Sequence, residues 1–257
     1  MFTRKKEICK SMGIVAMLTL GTSSTLQSEP LTQTQLHATM GIVTNFILSD
    51  GITHNGTSYG TVTSPYTGRV WLNKNLGATQ VCTSFDDVAC YGDYYQWGRN
   101  VDGHEKSNSF DVPTLANNVT NVGHKNFITT SNSPYDWTFV DVSGVGRSVN
   151  WSATDGNSVC PTSFRVPSIA ELKAELLDIG SAQIANNADA FNSFLKLPSA
   201  GYRLHTNGSI VNTGLLGNMW SSSASGNVAS FLYFDSASAT SYNNIRALGI
   251  SVRCLKN

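Results

Sequence analysis

"CPTSFRVPSIAELKAEL", residues 160–176, carries a loop into a helix, and its two glutamates decide how the surrounding fold is read. Ser168 follows Pro167 and precedes Glu171 by three residues. That is a capping box, in which the serine hydroxyl accepts from one orphan amide and the glutamate carboxylate reaches back to another. Ile169, Leu172, Leu176 and Ile179 then repeat on one helical face, with Lys173 and Glu175 on the other. The pattern predicts a helix from about Ser168 to Ile179, with Glu171 as a cap and Glu175 as a solvated face residue. A catalytic pair would need a second carboxylate held on a cleft, and the pattern supplies none.

Outward from this helix, the residues from Tyr59 on form short apolar runs: "RVWLNKNL", "FLKLPSAGYR", "NMWSSSAS", "ASFLYFDS" and "LGISVRCL". Gly, Ser, Asn and Thr separate them, which predicts strands of a meandering sheet. One more helix is expected at about Asp189 to Leu195, in "DAFNSFLKL". Short antiparallel strands with two short helices and long loops make an α+β domain. With 257 residues, 40% of them apolar, the chain has material for a sizeable core.

The N-terminus has a different texture. "MFTRKKEICK" is basic and leads into an apolar run from Met12 to Leu20, then into "GTSST". Residues 1–28 therefore read as a secretory signal, and no segment is apolar over the roughly 20 residues of a bilayer-spanning helix. Cys9 precedes the apolar run, so it is badly placed to take a lipid, and "RCLKN" at the end shows no anchor motif. Residues 29–58, rich in Thr and Gln, read as a linker or arm, with "GIVTNFIL" as a potential edge strand. The expected product is soluble and secreted, either extracellular, at the cell surface, or periplasmic.

Removing residues 1–28 takes away Arg4, Lys5, Lys6, Lys10 and Glu7 from totals of 17 basic and 17 acidic side chains, leaving a balance of about −3. A nucleic-acid partner calls for a basic surplus, so that class is excluded. Four cysteines remain, Cys82, Cys90, Cys160 and Cys254. In an oxidising compartment they imply two disulfides, with three possible pairings. The short, turn-rich "CTSFDDVAC" favours Cys82 with Cys90, which leaves Cys160 for Cys254. A zinc site is disfavoured, since no Cys-x-x-Cys pair is present and no histidine lies near.

The pieces "GRVWLNKNLGA", "CYGDYYQWGRNVDGHE", "CPTSFRVPSIAELKAE", "LKLPSAGYR", "MWSSS" and "RALGISVRCLKN", in this order, resemble the Fibrobacter succinogenes major paralogous domain family of exported bacterial proteins. The resemblance spans about residues 59–257. It implies a C-type-lectin-like fold, distantly similar to that of formylglycine-generating enzymes, whose "WRLPTEAEW" entry "FRVPSIAEL" resembles. It also implies that the cysteine before the helix and the one in the last strand close the domain. It implies no activity, because fold does not fix function.

The chain departs from the active relatives of that fold. Formylglycine-generating enzymes carry a late reactive cysteine pair, whereas no cysteine lies between Cys160 and Cys254. Calcium-dependent lectins use acidic and amide ligands beside a Trp-Asn-Asp run, and "MWSSS" has no carboxylate. Asp155 and Asn157 in "SATDGNS" are a weak ion candidate better read as an Asx-turn. Asp102, His104 and Glu105 in "NVDGHEKS" read as a charged loop in solvent rather than a metal or acid–base group. His124 and His205 have no partner nearby in sequence, and Ser222 lacks nucleophile-elbow glycines.

Trp71, Trp97 and Trp220 read as core. Tyr135, Trp137 and Trp151 sit in a loop-rich insertion, where packing is the first reading and stacking on a ligand the second, for which Tyr135 and Trp137 are the candidates. The late stretches "HTNGSIVNTG" and "DSASATSYNNIR" read as variable loops offering Asn207, Asn212, Tyr242, Asn243 and Asn244. The function expected is an exported, noncatalytic recognition module at the bacterial surface, binding a glycan or protein through the loops around 130–158 and 205–244 without cofactor or obligatory calcium. The alternatives are an envelope assembly component whose arm donates a strand to a neighbour, and an enzyme of unrecognised type. Oligomeric state is not legible.

Overall fold

The computed structural model describes residues 51–257. The expected signal segment, Cys9, "GIVTNFIL" and most of the Thr/Gln arm lie outside the described residues. The end of that arm belongs to the folded body. A hairpin of β1 (Ile52–His54) and β2 (Thr57–Tyr59) turns at Asn55 and Gly56, whose φ angles of 47° and 75° make the Asn-Gly turn that matches strand twist. His54 Nε2 lies 2.8 Å from Val159 O, and Ile52 packs on the main core.

The remaining strands are mostly two or three residues long: β3 (Thr61–Thr63), β4 (Val70–Leu72), β5 (Tyr95–Gln96), β6 (Asp111–Val112), β7 (Phe127–Ile128) and β8 (Phe164–Arg165). They continue with β9 (Tyr202–Arg203), β10 (Ile210–Val211), β11 (Gly217–Ser225), β12 (Val228–Phe234), β13 (Ala239–Ile245), β14 (Gly249–Ile250) and β15 (Leu255–Lys256). The fold is α+β, built from small sheets in the orders β3-β4-β15-β8, β10-β9-β14-β5 and β11-β12-β13. All strand pairs among the described residues are antiparallel except β6 with β7. Several predicted strands shrink: "FLKLPSAGYR" contributes only Tyr202–Arg203, because the turn at Ser199–Gly201 bonds to Phe85, Leu216 and Gly214 instead of to a neighbouring ladder.

Three α-helices occur among the described residues: α1 (Val145–Trp151), α2 (Ile169–Leu176) and α3 (Asn187–Asn192). The capping box at α2 forms as read, and Asn186 caps α3 by accepting from Asp189 N. Two expectations about α2 fail. The helix ends at Leu176, leaving Ile179 98% exposed. Glu175 is fully buried rather than solvated, since the loop at 64–69 folds over it: Ser64 Oγ donates to it at 2.5 Å, Thr67 Oγ1 donates to its other oxygen, and Arg69 Nη1 lies 3.5 Å away.

Helix α1 has no counterpart among the elements expected from the sequence. Its N-cap is Gly144, with no side-chain cap of its own, and Val145 and Val149 are weak helix formers. Asp141 supplies the cap from outside, accepting from Gly146 N at 3.2 Å and Arg147 N at 2.9 Å. The insertion around it is pinned: Arg147 makes a two-pronged pair with Asp136 at 2.7 Å on both arms, and buried Arg246 shares that carboxylate.

Two packed clusters meet at the three-stranded sheet. Trp97, Trp151 and Trp220 form the centre of one, beside the Cys160–Cys254 bridge. Leu172, Leu176, Met219, Leu232 and Phe234 form the other beneath α2 and α3. Indole N–H groups are satisfied inside, with Trp97 Nε1 donating to Ser221 O and Trp220 Nε1 to Tyr95 O. The second disulfide joins Cys82 to Cys90, completing the pairing that the spacing favours.

Candidate functional site

Strand register sorts the late polar residues. In β11-β12-β13, Asn218 stands opposite Tyr233, and Trp220, Phe231 and Tyr242 form one cross-strand row. Alternation puts these on one face with Asn244, while Met219, Leu232 and Phe234 pack on the other. The row is an aromatic ladder from core to surface. Ring centroids step 5.8 Å from Trp220 to Phe231 and 6.4 Å on to Tyr242, while exposure rises from 0% through 3% to 55%. Tyr233 packs edge-on to Tyr242 at 5.7 Å.

This face forms one wall of a groove of about 450 Å³. The opposite wall comes from β9 and the turn after it, through Tyr202 and His205, and Leu248 and Ile250 make the apolar floor. His205 is held from both sides by Thr130: its Nδ1–H donates to Thr130 O at 2.8 Å, and Thr130 N donates to His205 O at 2.7 Å. Asn218 Nδ2 donates to Gly201 O at 3.2 Å, which leaves its oxygen as an acceptor. Tyr233 donates its hydroxyl to Asp235 Oδ2 at 2.6 Å, and this bond pushes the phenol up to about 12. Among the described residues, no carboxylate, lysine, arginine or cysteine lines the groove. It offers aromatic faces, phenols and amides.

The predicted candidates separate cleanly. Tyr242, Asn243 and Asn244 are gathered at the groove, though on an edge strand and not in a loop. Asn243 belongs by register to the other face, where Ser230 Oγ donates to its Oδ1 at 2.7 Å. Tyr135 reaches the neighbourhood through His205, with ring centroids 5.3 Å apart. Asn207 stays outside, its side chain accepting from Ser209 N in a local turn. Asn212 lines an adjoining cavity with Asp235. Trp137 is a correction: it is fully buried, with Nε1 donating to Trp97 O, so it has no face for a ligand. Trp151 is likewise core.

Tyr202, His205, Asn218 and Tyr233 are groove residues that sequence reasoning missed. The period-two alternation of "FLYF" places Tyr233 beside Phe231 on one face, a signal that the four letters themselves carry. Nothing local joins Tyr202 and His205 to a strand some forty residues later.

Asp155 accepts from Asn157 N at 3.0 Å and Asn157 Nδ2 at 2.9 Å, a self-contained Asx-turn whose backbone bond holds its carboxyl below the usual range. The Asp102, His104 and Glu105 group is a second correction. It is not a solvated loop, because His104 and Glu105 are buried. His104 Nδ1–H donates to Asp102 Oδ1 at 2.8 Å, and Nε2 accepts from Gln96 N at 3.1 Å. Burial, with the Arg99 charge behind it, lowers His104 to about 4. Both ring nitrogens are spent on the fold. This neutral histidine pins β5 and leaves no lone pair for a metal.

The chain matches no family model, no curated protein and no solved structure.

Proposed function

We propose that this chain is an exported, noncatalytic recognition module of the bacterial surface, C-type-lectin-like in fold, that binds a neutral glycan in the groove beside β13. The observation that carries the reading is Tyr242, an exposed ring braced from beneath by buried Phe231 and Trp220. A rigid aromatic face backed by amide and phenol groups, with no charge in the lining, suits the apolar face and hydroxyls of a sugar ring. Acid–base chemistry would call for a pair of titratable groups at the groove, and the described lining has no carboxylate to set beside His205.

Export is supported by Cys82, Cys90, Cys160 and Cys254 all being bridged, since disulfides persist in oxidising compartments. The lectin-like assignment is supported by β15 near the C-terminus pairing with β4 and β8 while Cys254 is tied to the entrance of α2. One observation favours the assembly alternative: among the described residues, β13 pairs only with β12, so its outer edge is open to an added strand.

The test is binding of the secreted chain to a neutral-glycan array, run beside Tyr242→Ala and Asn244→Ala together. Retention by the wild type and loss by the double variant supports the glycan reading. Retention of a peptide strand in place of any sugar supports assembly.

A further inference from the structure

A second cavity, of about 480 Å³, adjoins the groove, and Leu216 lines both. Tyr233, which lines the first, donates to Asp235, which lines the second, at 2.6 Å. Half-buried Phe85 and exposed Leu215 give the second cavity an apolar wall, and Asn212 and Asn187 give it amides. It shares with the first an aromatic side chain and carboxamides, and adds one carboxylate, Asp235, already engaged by the Tyr233 phenol.

We infer that the two cavities are consecutive subsites for a linear oligosaccharide, with one stretch of the chain on Tyr242, the next on Phe85, and the chain crossing the Tyr233–Asp235 hydrogen bond between them. This inference rests on the glycan reading of the groove and names its substrate class, an extended neutral chain rather than a terminal monosaccharide. The Cys82–Cys90 loop gains a role in it. Phe85 lies within that loop, and Ser199 N donates to Phe85 O at 2.7 Å while Gly214 N donates to Ser199 O at 2.7 Å. The small disulfide thereby fixes the wall of the second subsite.

The test measures binding of gluco-, manno-, xylo- and N-acetylglucosamine oligosaccharides, from two to six units long, to wild type, Phe85→Ala and Asn212→Gly. Glycine retains the left-handed backbone of residue 212, where φ is 60°, and removes only the amide. In the series that binds, affinity is expected to rise about tenfold from dimer to tetramer, the ratio of one added contact of about 1.4 kcal/mol. Either variant should erase that rise, so that the tetramer binds no more tightly than the dimer. Equal affinity for dimer and hexamer, or a length dependence that both variants keep, overturns the two-subsite inference while leaving the groove reading intact. Failure of the wild type to bind any series, or undiminished dimer binding by Tyr242→Ala, overturns the groove reading and this inference with it.

Discussion

Phe231 and Tyr242 face one another across β12 and β13 with ring centroids 6.4 Å apart, the first 3% exposed and the second 55%. One side of this pair belongs to the core and the other to solvent. Truncation should therefore act differently at the two ends of the ladder. Tyr242→Ala should shift stability by no more than about 0.5 kcal/mol, as surface changes do, whereas Trp220→Ala should cost about 3–5 kcal/mol. Urea midpoints of the two variants check this, and equal losses would refute the picture of a braced surface ring.

Glu175 should prove to be a structural residue despite its charge. Its carboxylate accepts from Ser64 and Thr67 in a site sealed by their loop. Charge-assisted hydrogen bonds contribute about 1.5–3 kcal/mol each when buried. Glu175→Ala is expected to destabilise by about 2–4 kcal/mol, read as a denaturation midpoint. A loss under about 0.5 kcal/mol, the size of an ordinary surface change, would mean the carboxylate is solvated after all.

His104 should make the fold acid-sensitive in a defined window. In the folded chain it takes a proton only near pH 4, whereas its usual value is 6.5. Between those values the unfolded chain binds more protons, so stability present above about 6.5 is lost as pH falls towards about 4. Glu171 acts lower, because its bonds with Arg165 bring it down to about 2 from a usual 4.5. Its contribution is present above 4.5 and lost as pH falls through about 2. Chemical denaturation as a function of pH should show His104→Gln flattening the upper window and Glu171→Gln the lower. Retention of the upper slope in His104→Gln would contradict the assignment.

The two disulfides should rank by loop length. Closing 94 residues of separation between Cys160 and Cys254 is worth about 4.7 kcal/mol in chain entropy, against about 2.6 for the separation of 8 between Cys82 and Cys90. Paired serine substitutions, compared by thermal melting, should show the larger loss at Cys160 and Cys254. The reverse order would show that the long bridge closes a loop already ordered in the unfolded chain.

Features that four or five adjacent residues decide are legible in the sequence. The Ser168 cap, the α2 stripe and the β11 and β12 runs are of that kind. So is the Asn55–Gly56 turn, whose dipeptide specifies a hairpin even though the composition around it reads as an arm. Features set at long range are not. Glu175 looks solvated in the sequence because its cover comes from Ser64, 111 residues away. The "DGHE" stretch looks like surface because the Asp102 charge is answered by Arg99 and the neutral His104 ring by the Gln96 amide, which local pattern does not rank. Half the groove is legible in Tyr242 and Asn244. Its other wall, Tyr202 and His205, depends on how β9 and β14 pair.

Binding at the groove is expected to need the Tyr242 ring and no calcium. Among the described residues no carboxylate lines the groove, and calcium takes six to eight oxygen ligands with charged groups among them. The oxygens of nearby Asp235 already accept from Tyr233 and from the Ala237 and Ser238 amides. Titration calorimetry of the array's best neutral oligosaccharide in excess chelator should give the same affinity for wild type and Tyr242→Phe, and an affinity at least about tenfold weaker for Tyr242→Ala. Binding abolished by chelation, or Tyr242→Ala binding as tightly as wild type, would contradict this expectation.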